Sequence, residues 1–282
     1  MVEIYRHEPA QITDMLEEKY RKRSFLRFSP AIDVPRLEKE YRSIPEDVWA
    51  SSYWGDVHCS VGMLLLRGGK EGGEGDFTCD EVFDREILEK LPYISSLISA
   101  YGPFGKATYA FIFRMLPRGV TLVHRDLHEA WAEKFRIHIP ITTNRDAVLI
   151  SDKKMIHFAK GYAWSFDNYS LHGVVNGATE RTHLIFDVPL NDKLAEQLDC
   201  AEYAEGWEDE EKLAIISDKK ARAIAPYPGD ATMLETLKLL KSYGWSPGKI
   251  AVYLNDKGIP ARQHNGTWSE AAVYELIPIL FW

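Results

Sequence analysis

Cysteine is scarce in this chain, with three in 282 residues. Cys59, Cys79 and Cys200 lie far apart and none stands in a Cys-x-x-Cys spacing. That excludes a disulfide frame or a cysteine zinc site, and the three read as reduced thiols. Long apolar runs are also missing. No stretch approaches the roughly 20 residues of a membrane-spanning helix, so no membrane contact is expected. The first residues, Met-Val-Glu-Ile-Tyr-Arg, carry no apolar segment of the signal-peptide kind, and a cytoplasmic location is the expectation. Positive charge is not in excess either. Lys+Arg number 34 against 42 Asp+Glu, a net charge of −8, which argues against bulk attraction to nucleic acid or an anionic membrane. What is present is ordinary globular matter. The chain is 45% hydrophobic and 27% charged, enough apolar surface for a sizeable core.

The texture changes along the chain. Residues 1–56 read as mainly helical, with a helical charge pattern over 12–26 and a short helix opening at Val34-Pro35. Residues 58–67 are a short apolar run, read as a strand. The glycine-rich run 68–75 forms no packed element and is a loop, inert or a lid. A helix is expected over 84–100. From 106 to 189 short segments alternate in polarity: 107–115, 135–141, 147–150, 162–166 and 182–188. Turn residues such as Pro117-Arg118-Gly119 and Asn144-Arg145-Asp146 separate them. Short strands with no helices between them predict an all-β sandwich or barrel. After Asn191 the pattern is helical again. Pro226, Pro228 and Gly229 mark a linker, and 232–282 reads as a separate helical unit.

Six of the nine histidines (His124, His128, His138, His157, His172 and His183) fall within 60 residues of this β region, where even scatter would put about two. In His124-Arg125-Asp126, positions 124 and 126 share one face of a strand. An imidazole and a carboxylate so placed can reach one metal ion. A second histidine completes the two-His, one-carboxylate triad that leaves positions open on Fe(II). It must come from a neighbouring strand, and His172, in a loop after the 162–166 segment, is the candidate. Two more strands carry candidates of another kind. Arg136 and His138 share the face opposite Phe135, Ile137 and Ile139. Arg181, His183, Ile185 and Asp187 share the face opposite Thr182, Leu184, Phe186 and Val188. Guanidinium groups beside a metal site suit a carboxylate ligand, which they bind with two parallel hydrogen bonds.

Taken in order, His124-Arg125-Asp126, Arg136-x-His138-x-Pro140, Gly161-x-x-Trp164-x-Phe166-Asp167, His172 and Arg181 resemble the aspartyl/asparaginyl β-hydroxylase family, bacterial free-proline hydroxylases included. The resemblance implies a double-stranded β-helix (jelly roll), mainly β with flanking helices. It implies an Fe(II)- and 2-oxoglutarate-dependent dioxygenase that hydroxylates a small-molecule substrate, a free amino acid or a derivative, using O2 and releasing succinate and CO2. His124, Asp126 and His172 would hold the Fe(II) and form the catalytic centre. Arg181 would grip the distal carboxylate of 2-oxoglutarate, and Arg136 and His138 match positions that contact the co-substrate. Animal aspartyl hydroxylases lack the carboxylate ligand that Asp126 supplies here, which favours the bacterial small-molecule branch. His183 is the nearby alternative to Arg181 as an anion contact.

The expected division is a jelly-roll domain with its N-terminal helices over 1–223 and a helical unit over 232–282. In the second unit, Ile250-Ala251, Tyr253-Leu254-Asn255, Gly258-Ile259-Pro260 and Trp268-Ser269 resemble a helix-turn-helix segment of serine recombinases. Five Lys/Arg against four acids in this unit give little attraction to phosphate. Packing on the β core, or a homodimer contact, is expected ahead of nucleic-acid binding. The competing readings are a hydroxylase of a peptidyl, lipid-linked or nucleic-acid substrate docked by this unit, and a non-catalytic metal-binding jelly-roll sensor. Arg181 and Arg136 discriminate, because a metal sensor has no need of a dicarboxylate clamp.

Overall fold

The structure is a computed structural model. It describes residues 25–49, 61–69, 81–124, 126, 134–168, 170–217, 246–256, 268–270 and 273. Its strands are β1 (Phe25–Phe28), β2 (Val61–Gly68), β3 (Phe83–Asp84), β4 (Tyr109–Met115), β5 (Val120–His124), β6 (Lys134–Thr142), β7 (Val148–Ser151), β8 (Lys154–Ile156), β9 (Ala163–Phe166), β10 (His172–Val175), β11 (Arg181–Pro189) and β12 (Glu202–Tyr203). The helices are α1 (Val34–Arg42), α2 (Pro92–Leu97), α3 (Asp192–Asp199), α4 (Glu210–Ser217) and α5 (Pro247–Asp256). An eight-stranded sheet has the order β12-β1-β9-β6-β11-β4-β2-β3, and a four-stranded sheet the order β5-β10-β7-β8. Neighbours pair antiparallel throughout. This is the two-sheet jelly roll the sequence predicts.

Alternation along the strands sorts side chains into three layers. Between the sheets, Phe25, Val61, Met115, Trp164 and Phe166 of the large sheet meet Leu149, Ile156 and Val174 of the small one. On the outer face of the large sheet, Ile112, Ile137, Leu184 and Phe186 pack in one cluster with Leu37, Ile94 and Leu194 of α1, α2 and α3. On the outer face of the small sheet, Leu122, Ile150 and Val175 pack against Ile216 of α4. Each sheet thus has helices on its outside, and the space between the sheets is left for chemistry.

The strand faces read for β6 and β11 hold. Elsewhere the structure differs from expectation. Leu26 lies in β1, not at the end of a helix; Phe25, Leu26 and Phe28 are all buried, so a strand covered on both faces shows no alternation to read. The rest of the expected helix, 12–24, lies outside the described residues, as do 70–75 of the glycine-rich run and 232–245 of the tail. The expected 84–100 helix is instead a 3-10 turn at Glu86–Lys90 followed by α2. Pro92 causes the break, because the residue before a proline is driven out of the helical region and Leu91 sits at φ −124°. In the tail, α5 forms as predicted, and the Asn255 side chain both donates to and accepts from the Trp268 backbone.

The N-terminus of α2 shows how helices are fastened to this frame. Its first backbone N–H groups have no partner within the helix. The Glu40 carboxylate of α1 accepts from Tyr93 N at 2.7 and 3.0 Å and from Ile94 N at 2.9 Å. Glu40→Ala should leave those donors uncapped and lower unfolding free energy by about 1–3 kcal/mol, read by urea denaturation; an unchanged midpoint would refute this account.

Candidate metal centre and anion pocket

β10 pairs with β5 so that His172 stands directly opposite His124, and the two rings lie 4.2 Å apart, centroid to centroid. His172 is therefore the first residue of a strand, not the loop residue expected from sequence. Close approach here depends on Gly173, where a Cβ would lie 2.7 Å from the Thr121 backbone oxygen. Asp126 follows β5 by two residues, and its backbone N–H donates to the Asn168 carbonyl at 3.0 Å. Asp126 Oδ1 sits 3.6 Å from His124 Nε2 and 3.9 Å from His172 Nε2. One ligand atom from each of the three residues falls within 4.8 Å of the others.

The supporting contacts orient this cluster. His124 Nδ1 donates to the Leu122 carbonyl at 2.8 Å, and His172 Nδ1 to the Ser170 carbonyl at 2.9 Å. A proton held on Nδ1 leaves the Nε2 lone pair facing Asp126, as a metal ligand requires. Asp126 Oδ2 accepts from Arg136 at 3.2 Å and from the Asn168 side chain at 3.3 Å. Burial opposes the Asp126 charge, but Arg136 and the two histidines outweigh it and hold its pKa below the usual value. Burial, reinforced by His124, pulls the His172 pKa down to about 4. Two neutral imidazoles and one carboxylate are the donor set that suits a divalent metal such as Fe(II) with positions left open.

A second constellation lines the large sheet across from the first. Arg181 is buried and donates to His183 Nδ1 at 3.2 Å. Among the described residues no carboxylate pairs with it. Burial lowers its pKa to about 9, so it stays charged at neutral pH. Because Arg181 donates to Nδ1, neutral His183 carries its proton on Nε2, and among the described residues that atom has no partner. Both ring nitrogens of His138 are likewise without partners. Burial is the main force holding His138 and His183 well below the ordinary histidine pKa. Thr121 Oγ1 and Ser151 Oγ, on strands of the small sheet, are also buried without partners. Buried polar atoms are nearly always satisfied, so this many orphans together fit a polar ligand.

The structure thus brings His124, Asp126 and His172 together and sets Arg181, His183 and His138 apart as a second buried polar cluster with one cation in it. Arg136 stands at the metal cluster's end of β6, and its guanidinium is held by carboxylates of the chain itself, Asp187 at 2.8 and 3.0 Å and Asp126. Sequence reasoning did not single out Asn168 or Asp187 as site residues. Asp187 shares a strand face with Arg181, which was the one available signal.

Residues 73–190 match the model of the family described as aspartyl/asparaginyl beta-hydroxylase. The His-Asp-His cluster lies inside that segment, and its donor set is the one an Fe(II)- and 2-oxoglutarate-dependent hydroxylase would need. No curated protein matches the sequence significantly. Among solved structures, it is similar to an oxidoreductase of the 2OG-Fe(II) oxygenase family from Burkholderia pseudomallei, at 14% identity over 72% of this chain and 94% of that one, with a TM-score of 0.41. It is also similar to a prolyl hydroxylase from Trichoplax adhaerens, solved with a peptide fragment of the hypoxia inducible factor oxygen degradation domain, at 12% identity over 67% and 93%, TM-score 0.39. A Pseudomonas putida prolyl-4-hydroxylase aligns at 9% identity over 65% and 100%, TM-score 0.38. Likeness at this level carries nothing about substrate. Among the described residues no helix is long and apolar enough to cross a membrane.

Two outcomes follow from this geometry. Gly173→Ala should force β10 away from β5, lowering stability by about 1–3 kcal/mol and loosening the His124–His172 spacing; urea denaturation and a Co(II) titration read both effects. The second concerns pH. His172, His138 and His183 have folded pKa values below the unfolded value near 6.5. Their contribution to stability is complete above that unfolded value. It is lost as pH falls toward about 4 for His172, and further for the other two. Each costs about 1.4 kcal/mol per pH unit within its window. Unfolding free energy of the metal-free chain should therefore drop steeply from pH 6.5 to 5; a flat profile would contradict buried neutral imidazoles.

Proposed function

We propose that this chain hydroxylates a small-molecule substrate, a free amino acid or a derivative of one, with His124, Asp126 and His172 holding Fe(II). Arg181 binds the distal carboxylate of 2-oxoglutarate in this reading, with His183 and His138 as hydrogen-bonding partners of the same co-substrate. The observation that carries it is the charged, buried Arg181 with no carboxylate partner among the described residues. An unpaired buried guanidinium is costly, and an anionic ligand removes that cost. A site needing only a metal has no use for it.

When bound, Fe(II) with 2-oxoglutarate and O2 supplies the oxidising power for converting a C–H bond to C–OH, with succinate and CO2 as co-products. The chain's own residues do the rest. The Nδ1 bonds to Leu122 and Ser170 fix both imidazoles with Nε2 toward the metal position. Arg136 and Asn168 hold one oxygen of Asp126 and leave the other facing the imidazoles. The apolar interior of Phe158, Trp164, Phe166 and Val174 keeps water from the co-substrate's path. Arg181 fixes the co-substrate's orientation through its far carboxylate, so that its other end meets the metal. Residues 232–282 are read as a packing unit and not as a principal nucleic-acid reader.

The test is a titration of 2-oxoglutarate into the Mn(II)-loaded chain without O2, followed by succinate release with Fe(II) over the free amino acids. Arg181→Ala should abolish 2-oxoglutarate binding and spare the metal. Arg181→Lys should recover little, because a point charge cannot replace a planar fork. Equal 2-oxoglutarate affinity in wild type and Arg181→Ala would refute the assignment. Absence of succinate release with any amino acid would refute the substrate class.

A further inference from the structure

Asp187 is fully buried in β11, directly opposite Arg136 of β6. A buried carboxylate on a strand needs a partner. Both of its oxygens have one, Oδ1 bonded by Arg136 Nε at 2.8 Å and Oδ2 by Arg136 Nη2 at 3.0 Å. Nη1 of the guanidinium reaches the metal cluster, bonding Asp126 Oδ2 at 3.2 Å. The three residues form a line, Asp187–Arg136–Asp126, from the large sheet to the end of β5.

From this line we propose that Asp187 is a positioning residue for the metal centre. It occupies the Nε/Nη2 edge of Arg136 and so presents that arginine to Asp126 through Nη1, at one carboxylate oxygen. The proposal rests on the reading of His124, Asp126 and His172 as metal ligands.

Two physical consequences support it. The first is geometric. A free guanidinium beside a carboxylate prefers to bind both oxygens in a fork. With Asp187 holding the Nε/Nη2 edge, the side-on fork is not open to Asp126, which Arg136 bonds through Nη1 at Oδ2, and Oδ1 stays turned to the two Nε2 atoms. The second concerns charge. Arg136 and Asp187 together are neutral, so Asp126 keeps its full negative charge for a cation. Without Asp187, Arg136 would cancel that charge and compete with the metal. Burial works against the Arg136 charge, yet Asp187 and Asp126 outweigh it and its pKa stands above the ordinary value.

The experiment is an anaerobic Co(II) titration of the full chain, by calorimetry and by the visible absorption of bound Co(II), with circular dichroism to confirm folding. D187N removes the anion and leaves Arg136 free to fork onto Asp126. The double variant R136M/D187L removes donor and competitor together, a kind of replacement buried ion pairs often tolerate. D187N should bind Co(II) roughly 10–100-fold more weakly, the range for loss of a ligand's supporting partner, with altered absorption bands. The double variant should fall between it and wild type. Equal affinity and spectrum in D187N and wild type would overturn the proposal, as would a double variant that binds no better than D187N. If D187N does not fold, the double variant decides alone: weaker binding with a changed spectrum supports the proposal, and wild-type behaviour overturns it. Failure of both to fold overturns it too, since the pair would then serve the fold. Absence of Co(II) binding by the wild-type chain would instead remove the metal reading itself.

Discussion

The pairing of β10 with β5 puts His172 opposite His124, and this register sets everything downstream of it. A slip of one residue would turn His172 to the outer face and replace it with Gly173. The register is enforced from both sides of β10. On one flank His172 faces His124, and on the other it faces Ser151 of β7. Asp126 is then tied to the same corner through Asn168, whose backbone and side chain both contact it. The helices and the outer cores matter to function because they hold these two short strands in place.

Charge is distributed unevenly between the sheets. Carboxylates gather at one end, where Asp126 and Asp187 share Arg136. At the other, Arg181 sits with two neutral histidines and no acid among the described residues. A metal cation is matched to the first set and an anion to the second. In the proposed reading, a chelating dicarboxylate would put one end on the metal and the other on the guanidinium. Hydrophobic side chains occupy much of the space between, so the field of each set acts with little screening.

Much of this is legible in the sequence, for reasons that differ by residue. Alternation in β6 and β11 is clean because one face of each packs against helices and the other lines the interior; Arg136, His138, Arg181 and His183 follow directly. The two-residue spacing of His124 and Asp126 puts both on one side of the chain. β10 is harder. It is four residues long with a glycine inside it, a poor strand signal, so His172 reads as a loop residue. β1 is buried on both faces and carries no alternation. The Asp187–Arg136 pairing depends on the register of β11 against β6, which no local pattern contains. The break at Pro92 is a rule that the 84–100 reading applied too weakly.

Gly173 has a further consequence. The gap between β5 and β10 at the site is limited by backbone against backbone, since no side chain stands between Gly173 and the Thr121 carbonyl. The spacing of the imidazoles is therefore a property of the scaffold and does not depend on which side chains project from it. Ligand identity and ligand spacing are separable in such a design. A lineage built on this frame can exchange one donor for another, or lose one, and keep the remaining donors where they are.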